Sequence, residues 1–247
     1  VGRASNASIN GCSFSGSVFG YHTVGGLVGK SDGSNIQDSW ASGYVTGDGF
    51  CIGGLIGACT INGGTIRNSH AQSQVTGGAN AGGLIGDAQN NVNIINCYAV
   101  TSTKGPYRIG GLVGSKYGGS VENCFSSGDV RTTTTYNDGA GGGLIGINYG
   151  ASIKFSYSSC TVSTIGDRGY AGGLIGVNDG GSITDCYAVG DVTATYMCGG
   201  LVGHNTGSVV KCYTSNNVRE EKEYRCGALI ARNEGSISTS FWNIDKF

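Results

Sequence analysis

The sequence predicts an all-β fold: a single-chain parallel β-solenoid of about eight to nine coils, each of about 28 residues. Three observations predict it. Leu27, Leu55, Leu84, Leu112, Leu144, Leu174, Leu201 and Leu229 recur at spacings of 28, 29, 28, 32, 30, 27 and 28 residues. Seven of them centre a Gly-Gly-Leu-(Val/Ile)-Gly segment, and Leu229 lies in a decayed copy, Gly227-Ala228-Leu229-Ile230-Ala231. Short β-branched segments recur in phase with these leucines. No segment sustains the i, i+3, i+4, i+7 spacing of a helix. Residues 1–247 therefore read as one repeat array.

Each unit divides into three segments. The first holds the Leu and the apolar residue after it (Val28, Ile56, Ile85, Val113, Ile145, Ile175, Val202, Ile230), with a small or apolar residue three positions before the Leu (Val24, Ile52, Ala81, Ile109, Gly141, Ala171, Cys198, Cys226). The second starts at Ile9, Ile36, Ile66, Ile94, Val121, Ile153, Ile183, Val209 and Ile237. Three residues later stands only Cys or Ser (Cys12, Ser39, Ser69, Cys97, Cys124, Ser156, Cys186, Cys212, Ser240), and an aromatic residue usually follows, with Ser13 and His70 as exceptions. The third is a Val column: Val18, Val45, Val75, Val130, Val162, Val192 and Val218, with Thr103 in the fourth unit. Gly, Asn and Asp separate the segments and permit tight turns. Three strands of about five residues plus turns use up one right-handed coil. A single coil cannot bury its apolar face, so stacking at about 4.8 Å must supply the core and yields a rod about 40 Å long.

The repeated Gly-Leu-hydrophobic-Gly corner resembles the GLUG repeat, and the resemblance covers essentially the whole chain. It implies a β-solenoid exported to the cell exterior or cell surface, as in adhesin-like proteins and the non-catalytic part of some immunoglobulin A peptidases. It also implies no catalytic residue within the repeat itself.

Bulk properties narrow the classes. Charged residues are 13%, net charge is -1, and Gly is 48 of 247. The charge balance gives no footprint for nucleic acid, and no apolar run reaches the length of a membrane span. The chain begins at Val1, mid-unit and without a leader, so a processed form or an excised segment is expected.

Two nucleotide-binding lookalikes dissolve into the repeat. Gly25-Gly26-Leu27-Val28-Gly29-Lys30-Ser31 has Val24 where a phosphate loop needs its first Gly. Gly141-Gly142-Gly143-Leu144-Ile145-Gly146 matches a dinucleotide fingerprint in letters, without the strand–loop–helix that gives it meaning. His22, His70 and His204 fall in different columns, and the spacings of a zinc site are absent, so no metal or other cofactor is expected. Asp129 and Asp191 share a column two coils apart with Thr161 between them, which makes a poor acid/base pair. The column Phe19, Thr46, Thr76, Lys104, Arg131, Ser163, Thr193, Arg219 is too interrupted by cations for a flat ice-binding array. The expectation is a non-enzyme.

Stacked columns predict ladders. Asn68, Asn96 and Asn123 form one, and Asn148, Asn178, Asn205 and Asn233 another, where amides can hydrogen-bond to each other and to turn carbonyls. Cys97 with Cys124, Cys186 with Cys212, and Cys198 with Cys226 are same-column neighbours in adjacent coils. Their spacing permits either disulfides or stacked free thiols, and the alternation with Ser, Ala and Gly asks for a small residue. Cys51, Cys59 and Cys160 have no evident partner.

Variation collects in the connection from the Val strand to the next corner. It is longest at 131–139 and most charged at 219–225. Tyr107, Tyr136, Tyr170, Tyr196 and Tyr224 fall there in five successive coils and form a candidate edge for a glycan or protein partner on a surface; the alternative is that they only cover the corner. A stalk, an adhesin segment, a fibre unit stacked end to end with copies of itself, and a non-catalytic module of a secreted protease all remain open at this point.

Overall fold

A computed structural model describes residues 1–60, 63–133, 139–166, 169–220 and 225–243. Among the described residues every strand pairing is parallel and joins a coil to the next, as the columns require. Among the described residues the first sheet has nine strands, from Arg3–Ser5 through Val113–Tyr117 and Ile145–Tyr149 to Ile230–Asn233. The second also has nine, from Ser8–Asn10 to Ser236–Ser238. The third is built from longer strands such as Trp40–Gly53, His70–Gly82, Phe125–Thr133 and Tyr157–Ile165. It continues into short corner strands such as Ile109–Gly110 and Met197–Gly199.

The register reproduces the sequence columns. Ile94 pairs with Val121 and Ile66, Val130 with Val162, and Cys198 with Cys226. The cross-section has two apolar lobes. The larger contains the leucines and the isoleucine columns, with Leu55, Leu84, Leu112, Leu144, Leu174 and Leu201 fully buried. The smaller contains the Val column and the corner column, including Val45, Ile52, Val75, Ile109 and Val162. Between the lobes runs the Gly-Gly corner. A Cβ at Gly111 would lie 2.0 Å from the Gly143 carbonyl oxygen, so the neighbouring coil leaves no room for a side chain. The Leu144 carbonyl accepts both Leu112 N–H at 2.9 Å and Val113 N–H at 3.0 Å, which draws the corner tight. Polar side chains meet the corner's inward carbonyls: Ser126 Oγ donates to Gly143 O at 2.7 Å, and Asn216 Nδ2 to Gly200 O at 2.9 Å.

The Cys/Ser column does more than fit a small space. Each member follows a residue in the left-handed region, such as Asn96 at φ 54°, Asn123 at 52° and Asp185 at 52°. Its thiol or hydroxyl turns back to the carbonyl two residues earlier: Ser69 to Arg67 at 2.8 Å, Cys97 to Ile95 at 3.2 Å, Cys124 to Glu122 at 3.2 Å, Ser156 to Lys154 at 2.7 Å. The same atom accepts the backbone N–H of the preceding coil. Ser39 N donates to Ser69 Oγ at 3.2 Å, Cys97 N to Cys124 Sγ at 3.4 Å, and Cys124 N to Ser156 Oγ at 3.1 Å. A side chain with one donor and one acceptor atom is needed at every step, which is why only Ser and Cys appear.

Candidate partner-binding surfaces

Three places concentrate chemistry outside the repeat core. The first is the connection edge. Tyr136 and Tyr224 lie outside the described residues. Tyr107 and Tyr196 stand two residues before the corner residues Ile109 and Cys198, but Tyr170 stands one before Ala171 and pairs in register with Met197. The tyrosines therefore do not form one stacked column. Tyr170 meets Tyr196 edge-on at 6.1 Å and lies over His204 at 5.3 Å, and Arg108 sits 5.9 Å above the Tyr149 ring, itself stacked on Tyr117 at 4.6 Å. The described part of this edge folds down over the first sheet's outer side.

The second place is a set of buried polar groups that the columns alone do not flag. Asp87 is 3% exposed; its Oδ2 accepts Gln89 Nε2 at 2.6 Å and faces Cys51 Sγ at 3.8 Å, while Oδ1 has no hydrogen-bond partner. Burial raises its pKa and favours the protonated acid. Burial also pushes the Cys51 and Cys59 thiols up to about 12. Lys116 occupies the register position of Asn148, heading the asparagine ladder. It is fully buried, donates to the Gly118 carbonyl, and burial lowers its pKa to about 8. From Asn148 onward the ladder is continuous, with amide-to-amide bonds of 2.8, 2.7 and 2.7 Å through Asn178 and Asn205 to Asn233. The other asparagine column is looser: Asn96 donates to Asn68 at 3.3 Å, and Asn68 to Asp38 at 3.1 Å.

The cysteine pairs differ among themselves. Cys198 and Cys226 are disulfide-bonded, with Cα atoms 4.7 Å apart. Cys97, Cys124, Cys186 and Cys212 are free, buried thiols engaged in the hydrogen bonds described above. Cys160 pairs in register with Gly128 and is buried in the smaller lobe. Cys12 is exposed.

The third place is the outer face of the third sheet. Trp40, His70, Tyr98, Phe125, Tyr157 and Tyr187 stack ring on ring, at centroid distances of 6.1, 4.5, 4.9, 5.1 and 4.7 Å and interplanar angles of 8° or less. Such stacking covers the ring faces and leaves edges outward. The sheet bends beside this ladder. Gly43 and Gly128 take φ of 114° and 115°, values open to glycine and closed to other residues. In the bend lies a groove of about 600 Å³ lined by Tyr44, Gln72, Ser73, Gln74, Val100, Ser102 and Asp129, among others.

Among the described residues no group of three or more His, Cys, Asp or Glu side chains could hold a metal ion, and no helix is long and apolar enough to cross a membrane. Asp129 pairs in register with Thr161, and Asp191 Oδ1 accepts Asn217 Nδ2 at 2.8 Å. The fold and these surfaces define a parallel β-solenoid.

Residues 105–131 and 167–193 match the family model of the GLUG motif, and both matched stretches are coils of the parallel β-solenoid. Two curated relatives are both immunoglobulin A1 proteases from Streptococcus pneumoniae, one of them from strain ATCC BAA-255 / R6. Each is 29% identical over 160 residues. The similarity covers 54% of this chain and only 8% of each relative. No solved structure matches.

Proposed function

We propose that this chain is a non-catalytic scaffold module of an extracellular or cell-surface protein, a rigid rod that holds a partner-binding face away from its point of attachment. The observation that carries the reading is continuity: three side-chain ladders, the asparagines, the Cys/Ser column and the stacked rings, each run across several successive coils and commit the repeat residues to holding coils together. What remains for a partner is the outer face and the connections. The partner in this reading is a glycan or a protein on a surface, in an adhesive or stalk role. The similarity to a small part of two much larger proteases favours a second reading, a module that positions a secreted protease on its substrate.

The test is topological. Intact cells that produce the parent protein are treated with a membrane-impermeant amine label and an antibody to this module, and the culture medium is assayed in parallel. Surface or medium location is the expected result; labelling only after lysis overturns the proposal. Deleting two whole coils from the parent separates the two readings. A stalk keeps partner binding at reduced reach, whereas a positioning module loses cleavage rate at fixed substrate.

A further inference from the structure

We infer that the groove on the third sheet binds a neutral glycan chain lying along the solenoid axis, an inference that rests on the reading of the chain as a partner-presenting scaffold. Its four successive coils contribute Tyr44, Gln74, Ser102 and Asp129 in one register column. Gln72 and Val100 stand in the outward positions two residues earlier. Three coil steps span about 14 Å, the length of about three sugar rings.

Tyr44 is the anchor. It is 53% exposed, and its column neighbours are Ser17 and Gln74, so no ring stacks on it among the described residues. The aromatic ladder two columns away is the opposite case, its inner ring faces covered on both sides. A sugar stacks its C–H face on an open ring, and only Tyr44 in the groove offers one. Around it are amides and a hydroxyl, Gln72, Gln74 and Ser102, all exposed, which can each donate to and accept from sugar hydroxyls. Ser73 also lines the groove, but it is 5% exposed and its hydroxyl is buried. Asp129 is the groove's one charged side chain among its lining residues. It can accept two adjacent hydroxyls, and it repels an anionic polymer.

A peptide fits less well. Strand addition needs a run of unpaired backbone, and the pairing gap between Gln72-Ser73 and Val100-Thr101 is only two residues long, closed by paired residues at both ends. Recognition must therefore come through side chains, and these carry the chemistry of hydroxyl-rich ligands.

The test uses the full 247-residue chain and defined probes: cellopentaose, laminaripentaose, maltopentaose and chitopentaose, with a heparin oligosaccharide as anionic control. Binding is read from the side-chain amide resonances of Gln72 and Gln74. At least one neutral pentaose is expected to shift both pairs of amide signals, and the anionic control to shift neither. Tyr44→Ala and Gln74→Ala should each weaken binding, Tyr44→Ala about tenfold. Ser163→Ala, outside the groove, should leave it unchanged. Silence from all four neutral probes, preference for heparin, or shifts confined to the Tyr107 and Tyr170 edge overturns the inference. None of those outcomes touches the cell-exterior location, which the labelling experiment decides separately.

Discussion

Two cysteine columns run up the same solenoid and answer to different physics. In the column of Cys97, Cys124, Cys186 and Cys212 the sulfur is a hydrogen-bonding atom: it caps the turn carbonyl two residues earlier, Cys124 also accepts the preceding coil's N–H, and Ser alternates with it. In the column of Cys198 and Cys226 the neighbours up the rod are Ile109, Gly141 and Ala171, apolar or absent side chains, and the two cysteines bond to each other. The same residue is a hydroxyl substitute in one place and an apolar filler turned cross-link in the other. The difference teaches that a column is identified by what alternates with the cysteine, and the spacing of the cysteines alone does not reveal it.

The comparison can be broken most severely through the cross-link. Reducing Cys198–Cys226 releases a loop with a sequence separation of 28 and should lower stability by about 3 kcal/mol, seen as a lower urea midpoint in the last coils. Cys198→Ala should behave like the reduced protein, with no further loss when reductant is added.

A charged occupant of a ladder offers a second test of similar size. Lys116 has a folded pKa of about 8 against an ordinary value of 10.5. Above pH 10.5 both states are neutral; as pH falls toward 8 the unfolded chain binds a proton that the folded chain refuses, so stability drops across that window and stays low beneath it. Lys116→Met should abolish this slope and raise stability at pH 7 by about 3 kcal/mol. A wild-type and variant pair with parallel pH profiles contradicts the assignment.

Cys124→Ala leaves the Cys97 N–H without a partner inside the rod and removes one of the two hydrogen bonds to the Glu122 carbonyl, and should cost about 2 kcal/mol. Cys124→Ser should cost much less. The order reverses in the other column, where under reductant Cys226→Ser should be worse than Cys226→Ala. The smallest effect belongs to the turn before the column. Phe155 sits at φ 50° and is 54% exposed, at a position where five other coils carry Asn or Asp. Phe155→Asn should gain about 1 kcal/mol in a thermal melt.

The leucine, isoleucine and valine columns were legible because coil stacking repeats one environment, so one residue type recurs at one period. The asparagine ladder was legible for the same reason. The dual hydrogen bond of the Cys/Ser column was half visible: its alphabet was in the sequence, but the atom pairs depend on the left-handed residue before it. The tyrosines were legible as residues of one edge but not in their register, because connection length varies and one residue of difference moves Tyr170 out of register with Tyr196. Asp87 escaped notice because its cover comes from the connection that carries Cys51 and Arg108, and Lys116 because it replaces an asparagine at an inward ladder position. The groove was hidden in a column that mixes Gly43, Ser73, Thr101 and Gly128, whose common feature is a bend in the backbone.

The division of the cysteines into two kinds is tested most directly by alkylation and peptide mass spectrometry of the protein purified without reductant. The account predicts one linked peptide pair, Cys198 with Cys226, rapid native alkylation of exposed Cys12, and labelling of Cys97, Cys124, Cys186 and Cys212 only after unfolding. A linked Cys97–Cys124 or Cys186–Cys212 peptide, or a free Cys198, would contradict it.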